Sequence, residues 1–274
     1  MIARLATHER ALVVGGLALV AIAGWWWLLA QVYAPPPMPG MDMSGMDMGG
    51  MDMGGMAMQP TPWTPLHALE ILAMWWIMMV AMMLPSALPA ILLYAALSRR
   101  TSARSATAVA APAWLFAAGY LVTWGAFSLA AAFVHWLLDR AGYLSPSMAA
   151  TSAGIGGTLL LLAGLYEISP VKSACLTHCR SPLEWLVSHW KPGKLGAVEM
   201  GMRHGLWCVG CCFMLMALLF YGGVMNLAWI AGLALYVLAQ KLAPGGSWIA
   251  RFGGLALIAA GAFVLWRAFG MAMA

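Results

Sequence analysis

All five cysteines of this chain fall between Cys175 and Cys212. Two stand in Cys175-Leu176-Thr177-His178-Cys179, and three in His204-Gly205-Leu206-Trp207-Cys208-Val209-Gly210-Cys211-Cys212. Residues four apart on an α-helix share a face. Cys175 and Cys179 therefore form one sulfur pair, and His204, Cys208 and Cys212 form a second set. Two such sets on adjacent helices make a closed thiolate site for a soft ion, Cu(I) in the first place, with zinc as the alternative. His178 and Cys211 complete the candidate ligands, Cys211 being the less central. Two other readings compete: cysteines as small apolar core residues, and redox exchange at Cys175–Cys179 or Cys208–Cys211. So dense a cluster, with two histidines interleaved, favours metal.

A second soft-ligand feature lies upstream. The chain repeats Met41-Asp42-Met43-Ser44-Gly45, Met46-Asp47-Met48-Gly49-Gly50 and Met51-Asp52-Met53-Gly54-Gly55, with no Lys, Arg or aromatic residue between Met38 and Met58. Gly and Asp interrupt every apolar run, so the stretch cannot build a core. Its thioethers select Cu(I) over harder ions. Met41, Met43, Met46, Met48, Met51 and Met53 are thus candidate ligands in many exchangeable sites. Further on, Met74, Met78 and Met82 stack along one helical face, with His67 and Glu70 continuing it roughly outward. This reads either as a ladder passing Cu(I) inward or as ordinary methionine packing. His135 and Asp139, also four apart, could join His67 and Glu70 in a polar cluster at the outer mouth, or form plain interfacial hydrogen-bond pairs.

These side chains need a membrane scaffold. The chain is 63% hydrophobic and 8% charged, with mean hydropathy +0.84, a composition foreign to soluble domains. The expected fold is all-α and polytopic, with about seven transmembrane helices near 11–33, 67–97, 110–138, 148–169, 204–222, 225–241 and 248–270. Pro85 and Pro89 predict a kink in the second span. Gly154, Gly157 and Gly164 predict close helix packing in the fourth. The N-terminal apolar stretch resembles a signal peptide but is too long for one, so it reads as an uncleaved first span. Organisation follows as a helix over 1–33, an external Met-rich linker over 34–65, and a six-helix membrane domain with the Cys/His site over 66–274. Of the 14 Lys and Arg residues, all but Arg140 and Arg267 fall on segments sharing one side. That asymmetry places the N-terminus and the Cys-rich segment on the cytoplasmic side of a bacterial inner membrane, and the Met repeat in the periplasm.

Nucleic acid is excluded as a partner, because the basic residues are scattered over short loops. The chain has no Ser/His/Asp set, no phosphate-cradling glycine loop and no ATPase motif.

Three longer motifs occur together: Met-Trp-Trp-x-Met-Met-x-Ala-Met-Met-Leu-Pro-Ser at 74–86, Pro-x-Lys-x-x-Cys-Leu-x-x-Cys-Arg-Ser-Pro at 170–182 and His-Gly-x-x-Cys-x-Gly-Cys-Cys at 204–212. In these the chain resembles a little-characterised bacterial family of predicted metal-binding integral membrane proteins. The resemblance spans roughly 66–270 and implies metal binding without a settled activity. The Met repeat lies outside it. The expected function is Cu(I) handling, with capture on the Met-rich loop and holding or passage at the Cys/His site. The expected partners are the lipid bilayer, copper ions and a periplasmic or membrane copper protein. The alternatives are a membrane thiol oxidoreductase or a copper-enzyme assembly factor, and a subunit whose metal is structural.

Overall fold

The computed structural model describes residues 2–33, 63–101, 110–145 and 148–270. These form ten helices: α1 (Ile2–Tyr33), α2 (Pro65–Thr101), α3 (Ala110–Arg140), α4 (Ala153–Glu167), α5 (Pro170–Arg180), α6 (Pro182–Ser188), α7 (Gly193–Ala217), α8 (Leu219–Gly222), α9 (Leu227–Leu242) and α10 (Gly246–Gly270). Among the described residues no strand forms beyond one isolated bridge, Leu144 with Ala150. Among the described residues, five helices are long and apolar enough to cross a membrane, or six spans result if the bent α4–α5 pair counts as one. Helix α9, expected as a span of its own, has 16 residues, short of the ~20 that a bilayer core requires.

Small residues set the helix spacing. A Cβ added at Gly119 of α3 would strike the Val198 carbonyl, and one at Gly201 of α7 would strike the Phe116 carbonyl. The two backbones therefore touch, as small-residue interfaces permit in membranes. Thr123 Oγ1 also donates to the Met202 carbonyl at 3.1 Å across that seam. Helices α4 and α10 meet in the same manner, with Gly164 against the Gly254 backbone and Gly157 against Leu265. Of the three glycines expected to pack, Gly154 alone faces no other helix; its one close neighbour is the Ser152 hydroxyl.

The axis bends by 63° between α4 and α5. Pro170 cannot continue α4, because its nitrogen has no hydrogen to donate, but it suits the first turn of a new helix. Ser169 caps that helix, its side chain accepting from Lys172 N at 3.2 Å. Lys172 Nζ donates to Glu167 Oε1 and, at 2.8 Å, to Gln240 Oε1; Gln240 Nε2 and Tyr236 Oη donate to Glu167 Oε2 at 2.6 and 3.1 Å. Both charges are fully buried, and this network ties the bend to α9.

One expectation shifts. Helix α7 starts at Gly193 rather than near 204, and Trp190 just before it stacks on Tyr94 with ring centroids 5.1 Å apart. Helix α2 runs continuously through Pro85 and Pro89.

Candidate metal centre

Helix α7 carries three buried cysteines whose sulfurs converge. The Sγ atoms of Cys208, Cys211 and Cys212 all lie within 4.8 Å of one another, with Cys211 and Cys212 3.3 Å apart. Helix α5 packs against α7 and brings Cys179 Sγ to 3.7 Å from Cys211 Sγ. Cys211 thus sits between the α7 cluster and α5, where spacing alone made it the least central. The i, i+3 relation of Cys208 and Cys211 also shares a face, and side-chain rotation swings the vicinal sulfurs of Cys211 and Cys212 together.

A polar rim faces Cys208. Lys241 Nζ lies 2.9 Å from Cys208 Sγ and 3.0 Å from Ser86 Oγ. Tyr120 Oη lies 3.0 Å from the same sulfur and donates to the Met83 carbonyl at 3.2 Å. Lys241 and Tyr120 do not stand out in the sequence, and Ser86 figures there only as the end of the motif at 74–86. Lys241 reads there as a loop cation marking the cytoplasmic side, and so does Lys172. Both are buried, so two charges of the orientation count are structural partners and not solvated markers.

Other expected ligands lie apart from this set. Cys175 Sγ faces Gly210, where an added Cβ would come within 2.9 Å of it. His178 stacks on Trp207 with centroids 4.2 Å apart, and its Nδ1 meets the Ala174 carbonyl at 2.9 Å. His204 is buried between the rings of Phe116 and Tyr120, at 5.9 Å from each. The structure therefore gathers Cys179, Cys208, Cys211 and Cys212, and leaves Cys175, His178 and His204 outside the converging sulfurs.

Upstream, Met74, Met78 and Met82 are buried on α2, as are Met79 and Met83. All five join the same apolar core as the cysteines. At the start of α2 the polar residues gather around Trp63, which the sequence does not flag. Its Nε1 donates to Asp139 Oδ2 at 2.5 Å, and its ring lies 5.0 Å from His67 and 6.2 Å from His135. His67 Nδ1 meets Glu70 Oε2 at 3.4 Å, and His135 accepts from Trp75 Nε1 at 3.4 Å. Met41, Met43, Met46, Met48, Met51 and Met53 lie outside the described residues.

The chemistry follows from the donor set. Two sulfurs bound to one ion at about 2.3 Å stand roughly 4 Å apart, close to the spacing found here. Buried soft thiols suit Cu(I) or zinc: Cu(I) accepts two or three sulfurs, while a closed zinc site takes four ligands, a number that Cys179 would complete. Beside the cluster, a cleft of about 610 Å³ runs between α2, α5, α6 and α9, lined by Cys179, Arg180, Glu184, Ser86 and Lys241 among others.

The copper chaperone family PpoB2 matches residues 72–264. This chain belongs to that family. The matched region starts after the Met-rich repeat and contains α3 to α9 whole, so all five cysteines, Tyr120 and Lys241 fall inside the PpoB2 region. Among curated proteins and solved structures, nothing matches this chain. The family description names copper, and the three-cysteine cluster could hold a metal ion.

Proposed function

We propose that this protein is a membrane-embedded Cu(I) chaperone that takes the ion from thioethers and holds it on thiolates for delivery. The Met-rich segment 38–58 gathers Cu(I) in the periplasm. The entrance around His67, Glu70 and Trp63 and the methionines Met74, Met78 and Met82 of α2 conduct it inward. The residues Cys208, Cys211 and Cys212 hold it in the inner half of the bilayer. Binding tightens along that route, because a thiolate carries a negative charge and a thioether does not. The long apolar helices and the outward-facing Leu19, Ile22, Leu129 and Phe263 support a multi-span membrane chain with lipid on its faces, which the reading places in the inner membrane. A periplasmic or membrane copper protein is the partner the reading requires.

The observation that carries it is the convergence of three buried sulfurs beside a buried ammonium. Elemental analysis of protein purified from copper-fed cells tests it. Wild type and a variant lacking 38–58 should both retain copper after chelator washing, and Cys208→Ser should not. Copper retained in full by Cys208→Ser moves the site elsewhere.

The close sulfur pairs Cys179–Cys211 and Cys211–Cys212 support one other reading, a thiol oxidoreductase. A metal-free wild type with a reversible two-electron thiol titration would favour it over copper carriage.

A further inference from the structure

Copper held on Cys208, Cys211 and Cys212 has no direct way out. These sulfurs are almost completely buried, and a bare cation leaving them through an apolar interior faces a prohibitive desolvation cost. The ion must stay bound to sulfur throughout, so release proceeds by exchange of one ligand for another. Exchange needs a sulfur that touches the buried cluster and also meets an incoming donor. Cys179 meets both conditions. Its Sγ is 3.7 Å from Cys211 Sγ, and the residue lines the cleft of about 610 Å³. None of the other four cysteines lines that cleft. The cleft wall around Cys179 is held in place: Arg180 Nη1 and Nη2 donate to the carbonyls of Gln240 and Pro244, at 2.5 and 3.1 Å. The volume lies in the range of small-molecule sites. Its lining combines the cations of Arg180 and Lys241 and the carboxylate of Glu184 with the apolar Pro89, Leu93 and Leu183, a surface suited to a polar thiol.

We propose that Cys179 is the exchange sulfur of this centre, passing Cu(I) from the buried cysteines to a thiol donor that enters the cleft. The idea rests on the copper reading above. In the first step a Cu–S bond to Cys179 forms and one bond to a cluster cysteine breaks; the Cys179 thiol proton passes to the displaced sulfur. In the second step donor thiols enter one at a time: each forms one Cu–S bond as one bond to a remaining cluster cysteine, and last the bond to Cys179, breaks, and each donor's proton passes to the sulfur it displaces. Oxidation states do not change in either step.

The test uses the full-length protein in detergent, loaded with Cu(I) under anaerobic conditions, as wild type, Cys179→Ser and Leu183→Trp. Each is mixed either with glutathione or with a folded acceptor protein bearing a Cys-x-x-Cys pair, and the ultraviolet Cu(I)–thiolate band of the loaded protein is followed. Cys179→Ser is expected to keep its copper and to release it at least about tenfold more slowly, equivalent to ~1.4 kcal/mol in the barrier. Leu183→Trp keeps every sulfur and places bulk in the cleft from an exposed position, so it should slow release in the same direction. A Leu183→Trp effect confined to one acceptor distinguishes a small thiol from a protein cysteine as the donor. Release from Cys179→Ser at the wild-type rate overturns the proposal while leaving the copper reading intact. Failure of Cys179→Ser to load makes Cys179 a resident ligand and also overturns it. A wild type that takes up no Cu(I) defeats the functional reading itself.

Discussion

Lys241 Nζ lies 2.9 Å from Cys208 Sγ, a buried ammonium set directly against the sulfur of a three-cysteine cluster. The lysine comes from the last turn of α9, where a cation also complements the helix dipole. The contact matters because Cu(I) bound by two or three thiolates carries net negative charge, and burying that charge is costly unless it is paired. Lys241 provides the offsetting charge.

Lys241→Met should therefore weaken copper retention more than its distance from the other sulfurs suggests. Opposite charges about 4 Å apart at an effective dielectric near 20 attract by ~4 kcal/mol, and a third of that is about tenfold in affinity. Competition with a Cu(I) chelator should show a loss of at least that size, with Lys241→Arg recovering part of it. Equal affinities for wild type and Lys241→Met would remove the charge-compensation argument.

The cysteines should divide sharply. Cys211→Ser is expected to lose copper as fully as Cys208→Ser, because Cys211 Sγ lies between Cys212 and Cys179. Cys175→Ser should leave copper affinity unchanged, since its sulfur faces Gly210. Copper-to-protein ratios after gel filtration measure all three. The reverse ranking, with Cys175 essential and Cys211 dispensable, would restore the pairing that helical spacing alone implies.

That contrast marks what the sequence could convey. Periodicity and composition exposed the helices, the cysteine-rich stretch and the methionine face of α2, because those signals are local. The rim of the centre was hidden, because its contacts join distant positions. Ser86 meets Lys241 across 155 residues and Tyr120 meets Cys208 across 88. Hydropathy also cannot tell a loop lysine from one that turns inward to a buried partner, as Lys172 and Lys241 do. Trp63 before α2 escaped notice for a related reason, since its ties to Asp139 and His135 are tertiary.

The bend between α4 and α5 should depend on its buried ion pair. Lys172→Met leaves Glu167 uncompensated among Gln240 and Tyr236 and should cost about 3–5 kcal/mol, as lone buried charges do. Adding Glu167→Gln to it should restore much of the loss. Unfolding in mixed detergent, followed by tryptophan fluorescence, checks both variants. A double variant no more stable than Lys172→Met would mean that the charge is not the source of the cost.

Helix contact at the glycine seam should position the sulfurs. Gly201→Val would drive a side chain into the Phe116 carbonyl. It should destabilise the fold by about 1–3 kcal/mol, as overpacking does, and reduce copper retention by shifting α7. Gly232→Ala faces open space and should change neither. Matching copper content in all three proteins would separate the seam from the site.

The most direct measurement is copper K-edge X-ray absorption on protein lacking residues 38–58, loaded with Cu(I) and washed with chelator. The expected spectrum is Cu(I) bound by sulfur alone, in two- or three-coordinate geometry, and it should vanish in Cys208→Ser. Nitrogen or oxygen ligation, or a sulfur signal that persists in Cys208→Ser, would contradict the assignment of the cargo to the cysteines of α7.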